Sequence, residues 1–275
     1  MWLPAVSLPL IPVFVAMVIR YREQLGAFCR NVFFGRVGKH SGTRVQRAHD
    51  FVLMNSTHGQ PDSVLQTFDL YAETQPSLIS SREKGEFLDE VVRKATPVCA
   101  LVLGTHCGYS AIRILRLLPP SSKLYTVEQD PSAAEAAEEM ILVAGFKHSQ
   151  PTHPDTTPYF TLLSLLSVLQ FQMVGSPSAV AIPQMLTGFD VRAVGLVLMD
   201  HDAEQYLPDL RALEKEGLLS TGCTLLVNNI DLQEAQGFLH YIHSSPQYSV
   251  VHQVQDMLEI QCQQCSVKGT DPVTL

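Results

Sequence analysis

The chain has 275 residues, 46% of them hydrophobic, enough to bury a full core in one sizeable domain. A net charge of −8 and an isoelectric point near 5.6 argue against nucleic acid as the principal partner. The six cysteines lack a small-scaffold spacing, so reduced thiols in a cytosol-facing domain are expected. The lone Cys262-Gln-Gln-Cys265 has no second pair to complete a zinc site.

Trp2 to Ile19 is eighteen residues without a charge, ended by Arg20-Tyr21-Arg22. That length just suits a membrane helix, and Pro4, Pro9 and Pro12 are tolerated better in lipid than in water. A cleaved signal peptide fits less well, because no basic n-region and no clear small-x-small site precede the arginines. Between Arg20 and Arg47 the basic residues Arg20, Arg22, Arg30, Arg36, Lys39, Arg44 and Arg47 face a single acid, Glu23. The positive-inside rule then places the rest of the chain in the cytosol. The juxtamembrane stretch carries Phe28, Val32, Phe33 and Phe34, and reads either as a segment on an anionic lipid surface or as a solvated linker.

From Arg44 the pattern turns helical through Val45, His49, Val52 and Leu53, and breaks at His58-Gly59-Gln60-Pro61-Asp62. Asp62 or Ser63 is suited to cap a second helix carrying Val64, Leu65, Phe68 and Leu70. Gln75 to Ser81 reads as loop. Glu83 to Lys94, with Phe87, Leu88, Val91 and Val92 on one face, is a third helix.

The stretch from Pro97 to Pro131 organises the chain. Val98 to Leu103 is an apolar run, the mark of a strand buried on both faces. Gly104-Thr105-His106-Cys107-Gly108-Tyr109-Ser110 follows as a turn, then a helix over Ala111 to Leu118 stopped by Pro119-Pro120. Lys123 to Val127 is a second strand and ends on Glu128. Strand, glycine turn, helix, strand and acid is the form of a nucleotide-binding βαβ unit, in which the acid accepts the ribose hydroxyls. Gly104-x-x-x-Gly108 departs from G-x-G-x-x-G, which favours a nucleoside ligand without a pyrophosphate, S-adenosylmethionine above all.

Asp130-Pro131-Ser132 opens a helix rich in alanine and glutamate that closes at Gly145. Lys147 to Pro158 shows no periodicity, and Phe160 to Val174 reads as a buried helix leading into a strand. Val194 to Met199 is the next buried strand and ends on Asp200-His201-Asp202, where open α/β sheets bind ligands. A helix over Tyr206 to Gly217, a strand from Cys223 to Val227 ending in Asn228-Asn229, a helix over Phe238 to His243 and two antiparallel strands complete the pattern.

Several of these motifs resemble those of the catechol O-methyltransferase family, including its transmembrane members. The likeness runs from Arg44 to about Gly269 and is densest in Leu103-Gly-Thr-His-Cys-Gly-Tyr-Ser110, Thr126-Val-Glu-Gln-Asp-Pro131, Asp200-His201 and Tyr206-Leu-Pro-Asp209. It implies a Rossmann-like class I methyltransferase fold, α/β with a mostly parallel sheet and helices on both faces. The domains are then an anchor over 1–22, a basic linker over 23–43 and a methyltransferase domain over 44–275. Implied cofactors are S-adenosylmethionine and Mg²⁺, with a small-molecule catechol as the substrate. Gly104, His106, Tyr109 and Ser110 would hold or line the donor. Glu128 and Gln129 would meet the ribose, Ser178 the adenine, and Ser80 would belong to a covering loop. Asp200, Asn228 and Asn229 fall on the metal positions, with Asp200 also at the donor. Asp200, Asn229 and Glu259 would carry catalysis, Glu259 contacting the second catechol hydroxyl.

The chain also departs from that pattern. Ala203 stands at the position of the basic lysine and Asp202 at that of an aromatic gatekeeper. Asn228 replaces a metal carboxylate, and Val102 a glutamate. Pro76, Leu78 and Ile79 alter the donor-covering loop, and the family lacks most of 147–170. Lys84 is retained. The alternative these changes imply is a weakened or inactive methyltransferase fold that binds or escorts a membrane-protein partner.

Overall fold

A computed structural model describes residues 44–74, 80–148 and 171–263. The expected anchor and linker, the altered residues Pro76, Leu78 and Ile79, the stretch 149–170 and Cys265 lie outside them. Among the described residues no helix is long and apolar enough to cross a membrane.

The described chain opens with three helices, α1 (Arg44–Asn55), α2 (Pro61–Thr74) and α3 (Arg82–Ala95). Ser81 caps α3 by accepting the Lys84 backbone N–H at 3.3 Å, which sets Lys84 on the first turn. Then come β1 (Cys99–Leu103), α4 (Tyr109–Leu115), β2 (Lys123–Glu128), α5 (Pro131–Val143) and β3 (Phe171–Gly175). Next are α6 (Ser178–Gly188), β4 (Val194–Met199), α7 (Tyr206–Glu216), β5 (Leu219–Val227), α8 (Gln236–Ser244) and the hairpin β6 (Tyr248–Val254) and β7 (Met257–Cys262). Helix α5 starts as its sequence dictates, with Asp130 as side-chain cap and Pro131 in the first turn. Helix α6 has no counterpart in the sequence reading, because Pro183 inside it reads as a breaker.

The seven strands form one sheet in the order β3-β2-β1-β4-β5-β7-β6. Strands β1 to β5 run parallel, and β7 returns antiparallel against β5. Order reverses between β1 and β4, so a crevice opens at their carboxyl ends, where such sheets take ligands. Along β1, Ala100 and Val102 enter the core with α1–α5, while Leu101 and Leu103 enter the core with α6–α8. A continuous apolar strand is what two covered faces require. Cys99, Cys107 and Cys223 are free thiols, but Cys262 is disulfide-bonded. That corrects the expectation of reduced thiols throughout.

Candidate functional site

Backbone hydrogen bonds stitch the carboxyl ends of four adjacent strands together. Gly104 N–H donates to Val127 O at 2.9 Å, Asp200 N–H to Leu103 O at 2.8 Å and Asn228 N–H to Met199 O at 2.9 Å. Gly104 has φ +89°, and a Cβ there would lie 2.5 Å from the Asp200 carbonyl oxygen, so only glycine fits. The glycine turn therefore runs directly over the end of β4.

Glu128 holds that turn from the end of β2. Its Oε2 accepts the N–H of Thr105 at 3.1 Å and of His106 at 2.9 Å, and its Oε1 accepts the Asp130 N–H at 3.0 Å. Oε2 thus has both lone pairs engaged, while Oε1 keeps one for a hydroxyl donor. His106, at φ +51°, donates Nε2–H to the Asp200 carbonyl at 2.6 Å. The Tyr109 hydroxyl donates to Asp69 Oδ1 at 2.6 Å. Burial and that hydrogen bond push the Tyr109 phenol up, so it stays a neutral donor.

A cleft of about 590 Å³, open mouth included, lies at the switch point. Gly104, His106, Glu128, Gln129 and Ser178 line it, together with Ser176, His201, Asp202 and Gln205. A smaller recess shares His106 and is lined by Ser80, Tyr109, Ser110 and Asp200. The positions expected at the donor thus occupy two adjoining hollows.

His201, noted in the sequence only within the Asp200-His201 motif and without a role, lines the larger hollow. Its Nε2–H donates to Asp209 Oδ2 at 2.7 Å, and Asp209 is buried. The eight-residue gap between them puts both on the approach to and the first turns of α7, which is a signal only once the helix start is known. Asp202 turns its carboxylate to the Glu204 N–H at 3.2 Å, and Ala203 is buried. No ionisable side chain stands at the position of the expected base.

Asp200, Asn228 and Asn229 do come together. Asn228 Nδ2 donates to Asp200 Oδ1 at 2.7 Å, and Asn229 Nδ2 donates to the same oxygen at 3.4 Å. Burial pushes the Asp200 carboxyl up, opposed by His106, the Asn228 hydrogen bond and Lys84. The remaining partner is Lys84, whose ammonium donates to Asn228 Oδ1 at 2.8 Å and pairs with Asp256. These residues do not fit Mg²⁺ as arranged. A hard cation needs anionic or carbonyl oxygens, whereas two amide nitrogens face the one carboxylate and an ammonium holds the Asn228 oxygen. Among the described residues no group of three or more His, Cys, Asp or Glu is placed to hold a metal.

Glu259 is not part of this cluster. It is buried in β7 opposite Leu226, and its Oε1 accepts from Lys94 Nζ at 3.2 Å. Lys94 is ten residues beyond Lys84 on α3, about 15 Å along the helix. The acid that does reach the site from the hairpin is Asp256, three residues earlier, at the β6–β7 turn.

An O-methyltransferase family model matches residues 64–154. Over 248 residues the chain is 34% identical to the transmembrane O-methyltransferase of Homo sapiens, spanning 89% of this chain and 78% of that protein. This chain belongs to the O-methyltransferase family. It is also 34% identical to the catechol O-methyltransferase of Mus musculus over 212 residues, covering 77% of this chain and 72% of the relative. Two solved O-methyltransferases share the fold. One is from Bacillus cereus in complex with SAH (TM-score 0.56, 16% identity, 86% of this chain and 97% of that one). The other is TomG from Streptomyces achromogenes in complex with SAM (TM-score 0.55, 18% identity, 85% and 95%). The seven-stranded, mostly parallel sheet of this O-methyltransferase family member is thus the class I S-adenosylmethionine-dependent architecture.

Proposed function

We propose that this O-methyltransferase binds S-adenosylmethionine in the cleft at the ends of β1, β2 and β4, and transfers its methyl group slowly to one hydroxyl of a catechol. The observation that supports this best is the pair of adjoining hollows. Glu128 and Gln129 suit the ribose in the larger one, and Ser110 and Tyr109 suit the methionine end in the smaller one. The acceptor oxygen forms its bond to the methyl carbon as the sulfonium–carbon bond breaks. S-adenosylhomocysteine leaves, and the hydroxyl proton passes to water at the open mouth. Such a displacement gains chiefly from holding the two reactants in line. With Ala203 in place of a base, turnover falls by about 10²–10⁴-fold relative to a site that has one. No step is assigned to Mg²⁺, because the Asn228 oxygen is already held by Lys84.

The N-terminal apolar segment is proposed to hold the catalytic domain at the cytosolic side of a membrane, a reading supported by relatives named transmembrane O-methyltransferase. A second reading is a donor-binding protein that engages a membrane-protein partner without transferring methyl groups. It is favoured by the buried Ala203 beside Asp202. Calorimetric titration with S-adenosylhomocysteine and transfer of labelled methyl from S-adenosylmethionine to catechol separate the two. Binding with transfer supports the enzyme, and binding without transfer supports the partner protein. Failure to bind the nucleoside overturns both.

A further inference from the structure

We propose that Asn228, held in one orientation by Lys84, closes the Asp200 cluster on the acceptor side of the cleft to a divalent metal. The inference rests on the donor-site reading only for calling this pocket the acceptor side.

Asn228 has one oxygen and one nitrogen at its tip. The oxygen accepts from the Lys84 ammonium at 2.8 Å, and the nitrogen donates to Asp200 Oδ1 at 2.7 Å. Turning the amide over would set NH₂ against NH₃⁺ and oxygen against carboxylate, so the network fixes its orientation. A carboxylate at 228 would have an oxygen for the lysine and a second one for a metal. Asparagine has none to spare, and it presents a donor to the side where a metal would need an acceptor.

Charge points the same way. Asp256 and Asp200 flank one lysine, and Asn228 relays between the lysine and Asp200, giving the chain Asp256–Lys84–Asn228–Asp200. Lys84 and Asp200 are both buried at 8% exposure, where charges are poorly screened. Two carboxylates against one ammonium leave a net −1, already answered by hydrogen bonds to Asp200 from two amides. A divalent ion beside the ammonium would be repelled at short range, and of the two carboxylates Asp256 is already paired with Lys84, which leaves Asp200. Lys84 is a positioning residue here: it orients Asn228, and through it Asp200.

The test is Mn²⁺ binding by electron paramagnetic resonance, with thermal unfolding in Mg²⁺ and in chelator, on the full-length protein. The expected result is no saturable one-to-one Mn²⁺ site displaced by Mg²⁺, and a melting temperature unmoved when Mg²⁺ is exchanged for chelator. Asn228→Asp is expected to create such a site, with affinity raised at least about tenfold. Lys84→Met, which frees the Asn228 oxygen and removes the charge, is expected to raise Mn²⁺ affinity in the same direction. A purely structural lysine would not move that readout. If Asn228→Asp does not fold, Lys84→Met decides. A Mg²⁺-displaceable one-to-one site in the unaltered protein overturns the inference, as does a folded variant that gains no binding. Neither result bears on nucleoside binding, so failure here is distinct from failure of the donor-site reading.

Discussion

Glu128 accepts the backbone N–H of His106 at 2.9 Å, so the acid that ends β2 fixes the turn that ends β1. The same carboxylate takes the N–H of Thr105 and Asp130 as well. Hydrogen bonds to a charged group contribute about 1.5–3 kcal/mol each, and orphaned buried donors cost more. Glu128→Ala is therefore expected to lower unfolding free energy in urea by about 3 kcal/mol. S-adenosylhomocysteine binding should weaken more than about tenfold in calorimetry. Glu128→Gln should fall between the two proteins, since its amide keeps one acceptor and turns a donor toward the remaining N–H groups.

Gly85 lies under the guanidinium of Arg113. Alanine within a helix is ordinarily better than glycine by about 1 kcal/mol. Here the added Cβ would lie 2.4 Å from Arg113 Nη1. Arg113 is buried, sits 3.4 Å from Asp89 Oδ2 and stacks 5.2 Å over the Tyr109 ring, so it has little room to yield. Gly85→Ala is expected to reverse the usual sign and destabilise by about 2 kcal/mol. Asp89→Ala, which strips the carboxylate from Arg113 and Arg116, is expected to cost about 3–5 kcal/mol. Chemical denaturation of both variants checks the pair.

Burial pushes the Cys107 thiol up to about 11. The unfolded thiol loses its proton near its ordinary value of about 8.5. Between those values the unfolded chain binds fewer protons, so stability falls as pH rises, and the loss is complete above the folded value. At about 1.36 kcal/mol per unit, the wild-type protein should lose roughly 3 kcal/mol relative to Cys107→Ala across that window. Below pH 8 the two pH profiles should run parallel, and iodoacetamide should leave folded Cys107 unmodified. A thiolate reactive at neutral pH would refute this.

Asp209 holds His201 by its Nε2–H at 2.7 Å, and His201 lines the cleft. Asp209→Ala leaves a part-buried imidazole without that acceptor. The expected cost is about 1–3 kcal/mol of stability. Nucleoside affinity should fall while Asp209→Asn, which keeps an oxygen acceptor, retains most of it. Equal loss in both variants would show that charge, and not orientation, is what Asp209 supplies.

Strands β1 and β4 were legible because each is an apolar run bounded by turn residues, and the turn at Gly104 because its glycines and the acid at 128 stand at a mechanistic spacing. Those local signals pointed to the Gly104 turn and Glu128 as a nucleoside site, whereas Ser80, Tyr109, Ser110 and Ser178 came from the resemblance alone. The helix Ser178–Gly188 was hidden by Pro183, since tertiary packing of Ala181, Ile182 and Met185 outweighs one local breaker. The acceptor side was hidden for a different reason. Lys84, Asn228 and Asp256 come from three distant parts of the chain, and no local pattern links an ammonium on a helix to the turn of a hairpin. Glu259 came from the resemblance alone, which gave Asp256 no role. The pairing Leu226↔Glu259 puts it inside the strand, toward Lys94 and away from the turn.

The β6–β7 turn grips the start of α3 by more than Asp256. Gln255 accepts from the Ser81 hydroxyl at 3.0 Å and donates to Glu83, so the tip of the last hairpin clasps the residues flanking Lys84. The partners at Ser81 and Gln255 are 174 positions apart. During synthesis, then, the lysine leaves the ribosome long before its counter-charge exists. The residues lining the larger hollow are all in the chain by Gln205, whereas the carboxylate partner of Lys84 waits for the final hairpin. A chain stopped before residue 255 would lack both the counter-charge of Lys84 and the clasp on Ser81 and Glu83.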